Sequence, residues 1–224
     1  GGGQRFKARI SAGSVRNEYG VSWIEPWFLD KQQRFSVDAY KRTRIYDRFE
    51  QSNTGLSLGL TKRLEKNKRW SYKYGVKAEQ VDLGDFDLNV SNELLSEKGD
   101  DFITALTFSL IRDTRNSFRR ANNGSRFSFD TELQSESLGS DNDLYKLSLK
   151  GAKYIGLFDD SVLKISGQYS TVEDLQGDIP IYERYFAGGL NSFRGYKFRN
   201  VSPVDSTNDE IGGQSMILGT VALD

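Results

Sequence analysis

Neither cysteine nor histidine occurs in the 224 residues. Without cysteine there are no disulfides, thiol nucleophiles or thiolate metal sites. Without histidine there is no Ser-His-Asp triad, and the commonest general base and usual zinc ligand are missing. Carboxylate-pair chemistry and oxygen-ligated calcium are what remains. The acidic stretch 82–100 (Asp82, Asp85, Asp87, Glu93, Glu97) lacks calcium-loop spacing and reads as a solvated face. An enzyme is therefore not expected, and neither is a catalytic residue, a metal or a cofactor. An excess of one charge is also lacking: Lys+Arg and Asp+Glu both number 31, so no broad attraction to nucleic acid is expected. No window approaches the ~18 consecutive apolar residues of a membrane helix, and the stretch that opens with Gly1-Gly2-Gly3 holds no charged-then-apolar leader, so any signal peptide is expected outside this piece. Helical spans are excluded; membrane strands are not.

What the chain has is alternation, the period-two signature of strands with two different faces. Phe6, Ala8 and Ile10 alternate with Arg5, Lys7 and Arg9; Leu56, Leu58 and Leu60 alternate with Gly55, Ser57, Gly59 and Thr61. Tyr72, Tyr74, Val76 and Ala78 oppose Ser71, Lys73, Lys77 and Glu79, and Leu163, Ile165 and Tyr169 oppose Lys164, Ser166, Gln168 and Ser170. About ten such segments are legible, with no convincing amphipathic helix. They run roughly 8 to 13 residues, near the ~9–11 that a tilted strand needs to cross a bilayer and above the ~5–6 of soluble strands. Connections near 27–33, 65–69, 114–123 and 157–160 are short; those near 13–17, 47–52, 82–100, 136–142 and 173–211 are longer or more polar. Short turns on one side and long loops on the other are the pattern of an outer-membrane barrel. A water-soluble antiparallel sheet is the alternative that alternation alone leaves open.

The most unusual stretch is Gly188-Gly189-Leu190-Asn191-Ser192-Phe193-Arg194-Gly195-Tyr196, inside the longest loop, where so long a connection is normally functional or disordered. Paired glycines allow positive φ and close backbone approach, and Arg194 offers a planar fork for a carboxylate. On spacing alone, a glycine-rich turn with an exposed arginine is the favoured reading. A phosphate-cradling loop is disfavoured, because no strand-loop-helix context or Lys-Ser/Thr signature surrounds these glycines.

Three motifs occur in order: Glu25-Pro26-Trp27-Phe28-Leu29-Asp30; Asp113-Thr114-Arg115-Asn116 with Gly124-Ser125-Arg126; and Tyr185-Phe186-Ala187-Gly188-Gly189 with Phe193-Arg194-Gly195-Tyr196. Together they resemble the barrel of the bacterial outer-membrane protein assembly factors of the surface-antigen superfamily, over essentially the whole chain. The resemblance implies an all-β fold, a transmembrane antiparallel β-barrel in which residues 1–224 supply about ten of a probable sixteen strands. It implies that N-terminal POTRA domains, first strands and last strands lie outside this chain. It also implies that the Arg-Gly-aromatic loop folds back into the lumen, with Arg194 paired to an acidic residue on the inner wall of later strands. After Gly219-Thr220-Val221 the family usually places Glu, whereas this chain has Ala222, with Asp224 two residues on as the candidate partner; Phe193 stands where Val or Ile is commoner. The implied function is folding and insertion of β-barrel proteins into the outer membrane of a bacterial cell. The implied partners are the outer-membrane lipid bilayer, unfolded β-barrel substrates and accessory assembly lipoproteins, the last mainly through the absent N-terminal domains. A two-partner secretion transporter and a passive porin are the alternatives.

Overall fold

The computed structural model describes residues 3–158, 161–175, 177–190 and 192–223. Ten strands follow one another: β1 (Arg5–Ser11), β2 (Arg16–Glu25), β3 (Gln33–Ile45), β4 (Glu50–Arg63), β5 (Trp70–Gly84), β6 (Gly99–Asp113), β7 (Asn123–Gln134), β8 (Leu144–Gly156), β9 (Val162–Asp174) and β10 (Ser215–Leu223). Each pairs antiparallel with its neighbours in sequence, giving one ten-stranded sheet in the order β1 to β10. β1 and β10 do not pair with each other, so the sheet is an open barrel wall. β5 and β6, at 15 residues, rise about 50 Å at ~3.3 Å per residue, long enough to cross a bilayer at a tilt and extend beyond it.

The register sorts the residues into two faces. Val37 opposes Leu58, Leu58 opposes Val76, and Val76 opposes Leu106, so the apolar residues of successive strands meet in one continuous band. This outer face stays exposed across the wall, from Phe6 and Ile10 through Leu56, Tyr74 and Leu106 to Ile165 and Val221. β10, whose faces the sequence leaves undecided, joins it with Ile217, Val221 and Leu223. The opposite face is polar: Glu132 opposes Lys146, and Ser148 opposes Ser170. Glycines in that face make room for large neighbours. A Cβ on Gly55 would sit 2.8 Å from the Tyr40 hydroxyl, and Tyr40 instead reaches over it to donate to Glu79.

Turns 26–32, 64–69, 114–122 and 157–161 share one end, and the remaining connections share the other. Sorting by length is weaker than the sequence suggests. The connections 12–15 and 46–49 are as short as the turns at the opposite end, because Arg16, Asn17 and Glu50–Ser52 belong to strands. A strand that runs past the apolar band is polar on both faces, and its composition then matches that of a loop. Segment 85–98 also holds a short helix, α1 (Asn92–Ser96), which period analysis misses; Ser91 caps it by accepting from the Leu94 N–H at 3.0 Å.

Candidate functional site

The buried core lies between the inner face of the wall and the loop 175–214 that returns over it. Ile179 packs with Leu144 and Val172; Ile181 packs with Phe49, Leu83 and Leu94. Tyr182 lies against Val81, Ile103 and Ala105. Its hydroxyl donates to the Asp101 carboxylate and accepts from Asn142 Nδ2 at 2.7 Å. Burial, more than the Asp101 bond, pushes that phenol well above the ordinary tyrosine range.

Glu183, only 4% exposed, is the charged centre of the contact. Its carboxylate pairs with Lys146 Nζ on β8 and accepts from Gln134 Nε2 on β7 at 2.8 Å. Gln134 Nε2 also donates to Glu132 at 2.9 Å, and Glu132 pairs with Lys77 on β5 at 3.0 Å. A polar chain of Lys77, Glu132, Gln134, Glu183 and Lys146 thus joins β5, β7 and β8 to the loop. A buried carboxylate is tolerated only when so paired. Arg184 closes the stem locally, donating from Nε to the Ile179 carbonyl (2.7 Å) and from Nη1 to the Ile211 carbonyl (3.2 Å). Tyr185 and Gly213 exchange backbone hydrogen bonds at 2.8 and 2.9 Å.

The glycine motif sits where the loop turns back on itself. Gly188 has φ +113°, and a Cβ there would lie 2.2 Å from the Lys197 carbonyl oxygen. Gly189, at φ +91°, donates its N–H to the Tyr196 carbonyl at 3.0 Å. Ser192 Oγ bonds both the N–H and the carbonyl of Gly188. Phe193 and Tyr196 meet edge to face with ring centres 5.7 Å apart, across Gly195 at φ +92°. The tip lies over the inner wall: Ser192 lines a cavity of about 460 Å³ together with Arg126, Asp130, Lys150 and Lys164. Arg194 is exposed, and no carboxylate pairs with it among the described residues. Asp224, its candidate partner from the sequence, lies outside the described residues.

The two turn motifs are local clasps at the other end of the wall. Asp113 accepts from the Arg115 N–H (3.1 Å), Nε (3.0 Å) and Nη2 (2.8 Å), which holds the Arg115 guanidinium firmly charged. Thr114 Oγ1 and the backbone of Ser125 bond each other, and a Cβ on Gly124 would lie 2.3 Å from the Thr114 carbonyl oxygen. This explains the joint occurrence of Asp-Thr-Arg and Gly-Ser. Glu25 accepts from the Trp27 N–H at 3.0 Å after the chain bends at Pro26, while Phe28 stacks on Phe35 at 4.6 Å. Trp27 is exposed.

Glu183, Tyr182, Gln134 and Lys146 are the functional residues that sequence reasoning misses. Alternation puts Gln134 and Lys146 on the polar face but says nothing of what covers them, and Glu183 stands in a loop without period. Among the described residues no cluster of acidic side chains is gathered as a metal site.

The chain matches the family model of the Omp85 superfamily domain over residues 1–223. It is 28% identical over 218 residues to the outer membrane protein assembly factor BamA of Nitratidesulfovibrio vulgaris, covering 96% of this chain and 27% of that protein. It is 27% identical over 231 residues to the mouse sorting and assembly machinery component 50 homolog, covering all of this chain and 47% of that one. Among solved structures, BamA from Haemophilus ducreyi lacking POTRA domains 1–3 superposes with a TM-score of 0.84 at 19% identity, over 99% of this chain and 47% of that one. The chain thus spans between about a quarter and a half of the proteins it matches.

Proposed function

The chain belongs to the Omp85 superfamily, and from that premise we propose that it forms part of the wall of a bacterial outer-membrane barrel that folds and inserts other β-barrel proteins. The observation that carries this reading is the combination of two faces. One is a continuous apolar exterior for lipid; the other is a polar interior occupied by the protein's own loop. An interior closed by a loop held through Glu183 and two apolar seats suits a machine whose work is done by its wall better than a passive pore. The relatives named for outer-membrane assembly and for sorting and assembly support the same function. No covalent chemistry is required of the residues.

In this reading residues 1–224 are a partial barrel domain preceded by POTRA domains. The open edges of β1 and β10 are completed by further strands, since lipid does not tolerate unpaired strand edges. The partners are the bilayer, unfolded barrel substrates and accessory lipoproteins. Arg194, at the tip, pairs with a carboxylate on the inner wall of the later strands, for which Asp224 or a residue of the strands outside this chain is the candidate.

Arg194→Ala and Arg194→Lys in the full-length protein, expressed in cells depleted of the wild type, test this reading. Reduced levels of other outer-membrane barrels are expected with Ala, and partial rescue with Lys, which lacks the bidentate fork. Full complementation by Arg194→Ala would remove the motif from the mechanism, and a large steady conductance in a planar bilayer would favour a porin. Topology is read by impermeant labelling of a cysteine at Leu88, almost wholly exposed in 85–98. The loop positions Ser91 and Ser140 are buried and unsuited to it. Labelling at Leu88 but not Asn67 on intact cells is the expected result.

A further inference from the structure

Where β3 ends, the segment 197–200 leans over the turn 46–49 and encloses a hollow of about 340 Å³. Four cations line it (Arg44, Arg48, Lys197 and Arg199) against two acids, Asp47 and Glu210. Part of this charge is already committed: Arg48 pairs with the buried Asp209 at 2.7 Å, and Glu210 accepts from Asn200 Nδ2 at 2.8 Å. Arg199 interacts with the Tyr46 hydroxyl and, at longer range, with Glu210. Among the described residues no carboxylate lies within ion-pair distance of Arg44, Lys197 or Arg199.

Arg199 is the most constrained of the four. Its guanidinium carbon lies 3.3 Å from the Phe186 ring centre and 4.4 Å from that of Tyr46, and its Nη2 is buried with no hydrogen-bond partner. Its backbone has φ +65°, the left-handed region that a non-glycine residue rarely occupies. Strain of this kind persists where the surroundings impose it and gathers at binding sites. Gly188 makes room for this backbone, since a Cβ there would collide with the Lys197 carbonyl oxygen at 2.2 Å. Arg44 is held over Phe198 at 4.1 Å, aimed into the same hollow. At the mouth, Val15, Ile45 and Phe198 are exposed, and Ile45 continues the outward face of β3.

We propose that this hollow binds a phosphate group. Arg44 from β3 faces Lys197 and Arg199 from the segment 197–200 across the hollow, an arrangement that suits a tetrahedral anion better than a planar carboxylate. The same chemistry has two sources: the headgroup of an amphiphile whose apolar part rests on Val15 and Ile45, or free inorganic phosphate. The lipid source rests on the barrel reading above, whereas binding of inorganic phosphate does not, so the two can fail separately.

The test uses the full-length protein. Inorganic phosphate is titrated in neutral detergent and followed by ³¹P line broadening. Phosphatidic acid in phosphatidylcholine nanodiscs is followed by native mass spectrometry. Arg199→Gln and Arg44→Gln are compared with Lys66→Gln at the opposite end of the wall, folding being checked by heat-modifiable mobility. Affinity for at least one probe is expected to fall roughly tenfold in each pocket variant, the scale of one charge-assisted hydrogen bond, and to hold in the control. If Arg199→Gln fails to fold, Arg44→Gln decides. Loss confined to phosphatidic acid identifies the amphiphile, and loss confined to inorganic phosphate identifies the free ion. No binding of either probe, unchanged affinity in the pocket variants, or equal competition by acetate would overturn the proposal.

Discussion

The loop 175–214 is two structures joined at Gly188. From Ile179 to Ala187 it is part of the core: Ile181 is 1% exposed, Glu183 is paired with Lys146, and Tyr185 is bridged to Gly213. From Leu190 to Phe198 it presents Leu190, Phe193, Tyr196 and Phe198 as exposed apolar side chains around Arg194, which pairs with no carboxylate among the described residues. The tip carries the motif that sequence reading singles out, while the stem carries the grip. Holding the loop in the lumen and offering something there are tasks for different residues, and each half can be broken separately.

The largest effect is expected at Glu183. Glu183→Ala would leave the partly buried Lys146 with Glu132 alone and Gln134 without its buried acceptor, and breaking one side of a buried pair costs up to ~3–5 kcal/mol. Proteolysis of the loop in the folded full-length protein measures it, with cleavage expected to spread from 190–200 into 177–187. A Glu183→Gln, Lys146→Gln double variant should recover most of the loss. A stem that stays resistant in Glu183→Ala would place the grip in the apolar seats alone.

Those seats come next. Ile181→Ala removes a fully buried side chain from the Phe49–Leu83–Leu94 cluster, which costs ~2–4 kcal/mol in cores of this kind. Leu190→Ala on the exposed tip should cost within about 0.5 kcal/mol. Chemical denaturation of the refolded protein, with loop fluorescence as the probe, compares the two. Equal losses would erase the distinction between stem and tip.

Gly188→Ala probes the joint. Its φ and the contact at 2.2 Å to the Lys197 carbonyl make any Cβ strained, at a cost of ~1–3 kcal/mol. Loosening should be confined to 188–200, with the stem's exchange protection unchanged. Spread into 179–187 would mean that the loop behaves as one cooperative unit.

The asymmetry also marks what a sequence can carry. The wall was legible because lipid and lumen impose opposite polarity at period two, and the faces of β4 to β7 follow directly from residues such as Leu56, Leu58, Tyr74 and Leu106. Glycine conformations at Gly188 and Gly124 were legible as motifs because only glycine tolerates the required approach. The docking of the stem was not, since Ile181 and Glu183 find partners more than thirty residues away through geometry that leaves no local period. Arg16, Asn17 and Glu50–Ser52 read as loop for a related reason: beyond the bilayer a paired strand needs no apolar face.

The smallest expected effect is on pH, and it separates two anchors of the loop. Glu97 accepts from the Ile181 N–H at 3.1 Å and lies 3.6 Å from Arg184, yet burial dominates and raises its pKa above the ordinary carboxylate value. A raised acid contributes stability that is fully present below its unfolded value and lost as pH rises through the folded one. Acidification from neutral pH to about 4 should therefore firm the stem slightly. Asp205 behaves oppositely. A Ser91 hydroxyl, then the Asp209 N–H and Thr207, hold it down at about 2, so its contribution is present above the unfolded value of 3.8 and is lost only as pH falls through about 2. Hydrogen exchange, corrected for intrinsic rates, should show peptides over 177–187 equally or better protected at pH 4 than at pH 7. Peptides over 203–210 should lose protection only below about pH 3. A stem that opens between pH 7 and 4 would show that the charged form of Glu97, through Arg184 and the Ile181 N–H, outweighs its burial.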